Sequence, residues 1–264
     1  LKDRGAIAPG YRGDVVLLDD LKDFHVNRVF VEGTLVAEEG KYLPEIKKCD
    51  ISSVKGSVIV KDFSKEKFKM NLKSNKVNVI KILPGGVVTA KDTAEIELDA
   101  NGEFVRNPEV DLVKVAVVER HQGTGNVACG FLKGYGIKEG AVALSVAHDS
   151  HNIIVVGVND EEMEFAVNSL IEQEGGIVLV KEGKVIESMP MPIAGLMSDQ
   201  SGEWVDQKLT DIHEKAYEEL GICGDVEPVM TLCFMSLAVI PEIKLTDMGL
   251  FDVTTFSFIP VEVE

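Results

Sequence analysis

The sequence lacks any uninterrupted apolar run of the roughly 18–20 residues that a membrane-spanning helix requires, so we expect no membrane partner. Its first residues, Leu1-Lys2-Asp3-Arg4, are polar, whereas a secretory leader would be apolar. The chain also has no methionine at its first position, which favours a piece of a longer protein. Together these absences predict a cytoplasmic location.

Positive charge is scarce, since 27 lysines and arginines stand against 44 aspartates and glutamates and the net charge is -17. Such a surface repels phosphate backbones and anionic lipid headgroups. We therefore expect no nucleic-acid partner, whereas the charge leaves a neutral small ligand open.

Cysteine is also scarce. The four cysteines are Cys49, Cys129, Cys223 and Cys233, and no two of them form a C-x-x-C pair. Three of them lie in apolar surroundings. This pattern favours buried free thiols over disulfides or a zinc site, and with them a reducing compartment.

The sequence does contain many short strand patterns, followed by a mixture of strands and helices. Residues 15–18, 26–31 and 34–37 predict a small β-structure that could not hold a core alone, and residues 44–76 form a lysine-rich connection. Apolar strand patterns resume at residue 77. The predicted fold class is therefore α/β (mixed α+β), with domains at 1–76 and 77–264.

Residues 110–158 predict a βαβ unit within the second domain. Apolar strands at 112–118 and 141–146 flank the glycine-rich segment 123–136, whose apolar residues recur at roughly helical spacing. Parallel strands joined in this way end at one edge of their sheet, where α/β proteins commonly bind ligands. Two amphipathic helices should follow, one capped by Asn159 and one after Ser201, with a hairpin between them.

The densest group of polar side chains follows the strand at 141–146 and comprises His148, Asp149, Ser150, His151 and Asn152. Imidazoles beside a carboxylate offer proton transfer near neutral pH, recognition of a polar ligand, or metal binding. The structural alternative is a polar loop whose histidines cap strand ends. Arg120 and His121 end the strand at 112–118, so they should converge with this loop if the two strands are neighbours.

Two other chemistries compete with proton transfer. Residues 123–128 fit the G-x-G-x-x-A pattern of a dinucleotide fold, with Asp149 in the place of a ribose-binding acid, although Glu119 would face the pyrophosphate. His148-x-x-His151 resembles half of a metal site, but no third or fourth ligand has a fixed relation to this pair. We therefore assign no metal ligand in this chain.

Several of these segments resemble the adenine deaminase family of the amidohydrolase superfamily. They are 119–125 (ERHQGTG), 145–153 (SVAHDSHNI), 192–199 (PIAGLMSD) and 243–247 (IKLTD). Residues 5–16 are similar to the stretch that follows the catalytic barrel in that superfamily, where the chain returns to a small β-sandwich. The resemblance covers nearly the whole chain and corresponds to the C-terminal portion of the family.

The resemblance implies an enzyme that hydrolyses adenine to hypoxanthine and ammonia at a manganese or iron centre in a (β/α)8 barrel. The barrel and its metal ligands have no counterpart in these 264 residues. The chain alone is therefore expected to be inactive, and its expected partners are adenine, the barrel portion of the same protein, and further copies in a homo-oligomer.

On this interpretation the polar loop that contains His148 helps to close or order the adenine pocket, with His148, Asp149 and His151 as the catalytic candidates. Residues that would bind substrate or order the loop are Arg120, His121, Ser150, Asn152, Ser198 and Asp199. A second hypothesis is an oligomerisation or lid module without a catalytic role, favoured by the apolar, proline-containing run 189–197. The third hypothesis, nucleotide binding, depends on residues 123–128.

Overall fold

The computed structural model describes residues 2–263, and the chain divides into two compact units, Leu1–Asp50 and Ile51–Glu264. Residues 51–76 belong to the second unit because they pack within it. Phe68, for example, is fully buried in one of that unit's apolar clusters. The two compact units of the structure are divided after residue 50. The domain boundary predicted after residue 76 stays a prediction.

The first unit is a four-stranded antiparallel meander. Its strands are adjacent in chain order: β1 (Val15–Leu18), β2 (Val26–Val31), β3 (Thr34–Glu38) and β4 (Lys41–Tyr42). No described residue from 2 to 50 is buried. This agrees with the expectation that this piece of β-structure does not hold a core alone.

The second unit contains all of the helices described for this chain. Its strands are β5 (Lys76–Ile82), β6 (Thr89–Glu95), β7 (Glu97–Leu98), β8 (Phe104–Val105), β9 (Leu112–Val118), β10 (Val127–Lys133), β11 (Ala141–Leu144), β12 (Ile153–Gly157), β13 (Gly176–Lys181), β14 (Lys184–Pro190), β15 (Ile243–Thr246), β16 (Gly249–Asp252) and β17 (Ser257–Phe258). The α-helices are α1 (Asp160–Glu172), α2 (Gly202–Glu218) and α3 (Pro228–Cys233), and 3-10 turns occur at Ser52–Val54 and Lys65–Phe68.

The centre of this unit is an eight-stranded mixed sheet in the order β14-β13-β11-β12-β9-β10-β5-β6. α1 covers one face, whereas α2, α3 and the small sheet β15–β17 cover the other. Because both faces are covered, β9 is buried at every position and shows no alternation of apolar and polar residues. The α/β class and the two amphipathic helices are therefore confirmed.

The βαβ unit predicted at residues 110–158 is wrong. Residues 127–133 form β10, which pairs antiparallel with β9. Gly125 and Gly134 flank this strand with positive φ, which leaves too little chain between them for a helix of ordinary length. The apolar spacing suggested a helix because a strand buried on both faces shows no simple alternation. A βαβ crossover occurs later, where α1 joins the parallel strands β12 and β13 on either side of β11.

The predicted helix starts are confirmed. The side chain of Asn159 accepts a hydrogen bond from the backbone N–H of Glu162 at 2.8 Å, and Ser201 accepts one from Trp204 at 3.3 Å. The Glu162 carboxylate does not complete a capping box with Asn159 among the described bonds; it accepts from the backbone N–H of Gly183 at 3.1 Å.

The prediction of free thiols is confirmed for all four cysteines, but the prediction that they are buried is wrong for two. Cys233 is buried and Cys129 is partly buried, whereas Cys49 and Cys223 are exposed.

Among the helices described for residues 2–263, none combines the length and apolar composition needed to cross a membrane.

Candidate functional site

The loop at 145–152, between β11 and β12, lies beside the end of β9. β12 separates β9 from β11 in the sheet. Even so, Arg120 and His121 at the end of β9 contact this loop, as the sequence predicted. The Nε2 atom of His121 lies 2.8 Å from the carbonyl oxygen of Ser150, and Nε of Arg120 donates to the carbonyl oxygen of His151 at 2.5 Å. We call residues 145–152 the His148 loop.

Arg120 is a buried anchor beneath this loop, with only 1% of its surface exposed. Besides His151, its guanidinium donates to the carbonyl oxygens of Ala194 at 3.2 Å and Ser57 at 3.5 Å. Gly195 makes this approach possible, because a Cβ at that position would lie 2.7 Å from Nη1 of Arg120. Burial lowers the pKa of Arg120. The side chain therefore joins three separate segments and does not face solvent.

Glu119 is a second buried charged residue, and it was not among the candidate site residues of the sequence analysis. Its carboxylate accepts from the backbone N–H groups of His121 at 2.5 Å and Thr124 at 2.9 Å, and from the hydroxyl of Thr124 at 3.0 Å. Burial would raise the pKa of Glu119, but these bonds and one from Gln122 outweigh it and lower the pKa to about 2. The carboxylate therefore remains ionised and fixes the turn after β9.

This arrangement contradicts the nucleotide-binding hypothesis. Glu119 already occupies N–H groups of the glycine-rich turn, and its negative charge opposes a pyrophosphate there. The turn also leads into strand β10, whereas a dinucleotide fingerprint requires a helix whose N-terminus faces the phosphates.

Asn152 holds the other end of the loop and is 5% exposed. Its side-chain oxygen accepts from the backbone N–H of Arg120 at 3.3 Å, and its amide nitrogen donates to Asp247 at 3.3 Å. Asp247 also accepts from Asn126 at 3.4 Å, so the turn between β15 and β16 is attached to the loop. Asp247 was not among the predicted site residues, although it lies in one of the segments that carried the family resemblance.

Ser145 is a further residue that sequence reasoning missed. It is fully buried, donates its hydroxyl hydrogen to the carbonyl oxygen of Gly195 at 2.5 Å and accepts from the backbone N–H of Gly176 at 2.7 Å. It therefore fixes the start of the loop against the same segment that Arg120 contacts.

His148 and Asp149 lie at the open edge of the loop. Their side chains are 49% and 70% exposed, and Nδ1 of His148 contacts the carboxylate of Asp149. The imidazole stacks on Phe234 with ring centroids 5.3 Å apart, and the backbone N–H of His148 donates to the carbonyl oxygen of Cys233 at 2.8 Å. Ser150 and His121 are exposed at the same edge. An imidazole, a carboxylate and a hydroxyl therefore face solvent together.

His151 differs from His148 because it turns inward. Its backbone has a φ of 51°, and its Nδ1 atom is buried without a hydrogen-bond partner among the described residues. Burial lowers the pKa of His151, and the positive charge of Arg120 lowers it further. The imidazole is therefore neutral near pH 7.

The structure does not bring Ser198 and Asp199 to this loop. Among the described contacts, Ser198 accepts from the backbone N–H of Gln200 and Asp199 accepts from the Gln200 side chain, just before α2. The run 189–197 is partly buried and lies between the interior of the unit and solvent. Met189 is 1% exposed, for example, although Met197 is 59% exposed.

The described residues of the loop do not form a metal centre. Within residues 2–263, no group of three or more histidines, cysteines, aspartates or glutamates is arranged to hold a metal ion. His151 is also a poor ligand in this position because its Nδ1 is buried near the Arg120 guanidinium. Clefts of about 510 and 490 Å³ lie elsewhere in the unit.

Comparison with known proteins gives one consistent result. Residues 86–257 match the family model described as the adenine deaminase C-terminal domain. The chain is 66% identical over 262 residues to adenine deaminase 2 of Desulfotalea psychrophila, covering 99% of this chain and 46% of that protein. It is 47% identical over 264 residues to adenine deaminase of Ligilactobacillus salivarius, covering 100% of this chain and 46% of that one. The chain therefore spans about half the length of the curated relatives it matches.

Proposed function

The chain belongs to the adenine deaminase C-terminal domain family, and we propose on this basis that it forms the C-terminal part of an enzyme that hydrolyses adenine to hypoxanthine and ammonia. The match over residues 86–257 and the relatives that bear this name support the proposal. Its partners would be adenine and the barrel portion of the same protein. A cytoplasmic location and assembly into a homo-oligomer stay predictions.

Within that enzyme, the His148 loop would close or order the adenine pocket. The observation that carries this role is the division of the loop into a fixed base and an open polar edge. Arg120 and Asn152 bond to the base, whereas His148 and Asp149 face solvent. A rigid base with exposed donors and acceptors suits recognition of adenine, whose ring edge offers both kinds of group.

The residues of the loop would then have different roles. His148 and Asp149 would exchange hydrogen bonds or protons with the ligand, because both side chains remain accessible. Arg120 and Asn152 would be positioning residues, because both are buried against the protein. The neutral His151 would help to hold the loop in shape from within.

The manganese or iron centre would lie in the barrel portion of the full-length enzyme. The residues described here do not fit such a centre, because they form no suitable cluster of three or more ligands. The chain by itself would therefore be inactive, and its contribution would be to bind, orient and exclude water at a site built largely by the other half.

The first test measures adenine deamination by the barrel half of the parent protein in manganese, with and without this chain. We expect activity only in the mixture, because the barrel half alone would lack the ordered edge of its pocket. Full activity from the barrel half alone would contradict the proposal. It would make this region an accessory lid or assembly module.

A second test replaces single residues in the full-length parent. Asp149→Asn should lower kcat/KM by about tenfold or more, because a proton transfer or a ligand contact is lost. His151→Ala should also lower kcat/KM, because the loop loses a side chain that supports it from within. The matched control is Asp206→Asn, because Asp206 is an exposed carboxylate on α2 with no described side-chain bond. Unchanged kcat and KM in both loop variants would refute the assigned role.

A further inference from the structure

The end of α3 holds His148 at two points. The ring of Phe234, which directly follows the helix, stacks on the imidazole with an angle of 12° between the ring planes and 5.3 Å between the centroids. Aromatic rings favour near-parallel contacts at such a distance. The carbonyl oxygen of the preceding residue, Cys233, accepts from the backbone N–H of His148 at 2.8 Å. Both the backbone and the side chain of His148 are therefore supported by one segment that lies outside the loop.

That segment is itself fixed at the start of α3. The hydroxyl of Tyr135, a fully buried residue, donates to the carbonyl oxygen of Pro228 at 2.8 Å. One carboxylate oxygen of Glu227 accepts from the backbone N–H of Met230, and the other lies 2.5 Å from Nε2 of His213 on α2. The ring that stacks on the loop is therefore carried by an anchored helix, which suits it to hold a functional side chain in one orientation.

These contacts leave His148 with one ring nitrogen for a ligand. Its Nδ1 atom contacts the carboxylate of Asp149, and one face of the imidazole is covered by Phe234. Its Nε2 atom makes no hydrogen bond among residues 2–263, and 49% of the side chain is exposed. An imidazole that donates from Nδ1 carries its lone pair on Nε2. In that form Nε2 accepts a hydrogen bond from an amino or ring N–H group.

We propose that Phe234 is a positioning residue of the His148 loop. It holds the imidazole of His148 so that Nε2 accepts a hydrogen bond from the substrate, and it acts only through that imidazole. This role rests on the proposed function, since adenine is then the ligand that meets His148. Adenine carries donors of the required kind, namely its exocyclic amino group and its ring N–H.

The first measurement is proton NMR of the 264-residue chain, without any reaction. A stacked aromatic ring shields the protons of the ring that it covers, so the ring-proton signals of His148 should lie upfield of those of a free imidazole. His148→Gln identifies these signals by removing them. Phe234→Leu should move them towards the positions of a free imidazole, whereas Phe234→Tyr, which keeps the aromatic ring, should leave them in place. Signals that do not move in Phe234→Leu would overturn the proposal.

Two further observations support this measurement. Phe165→Leu is the matched control, because Phe165 is 36% exposed on α1, which covers the other face of the sheet. It should leave the His148 signals unchanged. Nuclear Overhauser contacts between the rings of Phe234 and His148 in the unmodified chain require no substitution, so they decide the question even if Phe234→Leu does not fold. Their absence would overturn the proposal.

The second measurement is adenine deamination by the full-length parent, arranged as a double-mutant cycle. Phe234→Leu should lower kcat/KM by about threefold to tenfold when His148 is present, and should have no further effect in a His148→Gln background. Phe165→Leu should leave kcat/KM unchanged. Equal losses in both backgrounds would show that Phe234 only supports the fold, which would overturn the proposal.

The two measurements separate this proposal from the function on which it rests. An unchanged kcat/KM in His148→Gln would refute the proposed role of the loop in deamination, and the role of Phe234 with it. A clear loss in His148→Gln, together with NMR signals that do not respond to Phe234→Leu, would leave the role of the loop intact and refute the positioning role of Phe234 alone.

Discussion

At the scale of single residues, the His148 loop depends on charged groups that lie beneath it and do not face solvent. Arg120 bonds to carbonyl oxygens of three segments, and Glu119 collects hydrogen bonds from the turn that follows β9. Neither charge has an oppositely charged side-chain partner among the described ion pairs, so the backbone compensates both. The exposed side chains of His148 and Asp149 contact each other and take no part in this compensation.

Arg120→Lys should lower the free energy of unfolding by about 3 kcal/mol. A lysine cannot reproduce the planar fork of the guanidinium, so buried carbonyl oxygens would lose their donors. The measurement is urea unfolding followed by fluorescence of Trp204, the single tryptophan. Arg106→Lys is the comparison, because Arg106 donates only one described bond, to the carbonyl oxygen of Ile137. A loss no larger than that of Arg106→Lys would contradict the anchoring role.

The pH dependence of stability should reveal Glu119. Its pKa in the folded chain is about 2, below its ordinary value of 4.5. Its contribution is therefore fully present above pH 4.5 and is lost as the pH falls towards 2, with a maximum of about 3 kcal/mol. Glu119→Gln should be less stable than the unmodified chain at pH 6, and this difference should shrink at pH 3.

Urea unfolding at both pH values measures this difference. Glu218→Gln is the matched control, since Glu218 is exposed on α2. Its unfolding curve should follow that of the unmodified chain at both values. A difference for Glu119→Gln that stays constant between pH 6 and pH 3 would rule out the ionised carboxylate as the source of the stability.

At the scale of elements, sequence patterns were reliable where several local signals agreed. α1 and α2 each combine a capping side chain with an apolar stripe, and both were located correctly. β10 was missed because a strand covered on both faces shares its apolar spacing with a helix, and only its antiparallel pairing with β9 distinguishes them.

Local sequence patterns also revealed only part of the candidate site. The composition of the His148 loop was visible in the sequence, and so was its approach to Arg120, because both follow from where strands end. The contacts made by Ser145 and Asp247 were not visible. Asp247 lies 95 residues from Asn152, and Ser145 bonds to Gly195 across 50 residues. Such contacts depend on tertiary packing, which no local pattern encodes.

The N-terminus of α1 offers an element-scale prediction. Asn159→Ala should lower the free energy of unfolding by about 1 kcal/mol, because it removes the acceptor for the N–H of Glu162. Asn168→Ala lies on the exposed face of the same helix and should be neutral or slightly stabilising, since alanine is the better helix former. Urea unfolding of both variants checks this. Equal effects would mean that the cap does not contribute.

At the scale of the whole molecule, the two compact units differ in what holds them together. The second unit contains apolar clusters on both faces of its sheet, whereas no described residue of the first unit is buried. A unit with its own core can fold independently. The relatives are about twice as long as this chain, so the corresponding unit in those proteins has further sequence with which to pack.

Two truncations test where the independent unit begins. The chain 51–264 should fold cooperatively with a Tm within about 3 °C of the full chain, because it retains every buried residue of both sheet faces. The chain 77–264 should be less stable by about 3 kcal/mol or more, because it loses Phe68, which is fully buried against α1 and the sheet. Circular dichroism melts would compare the two. Equal stability would place the start of the unit at residue 77, whereas failure of 51–264 to fold would show that residues 2–50 support the core.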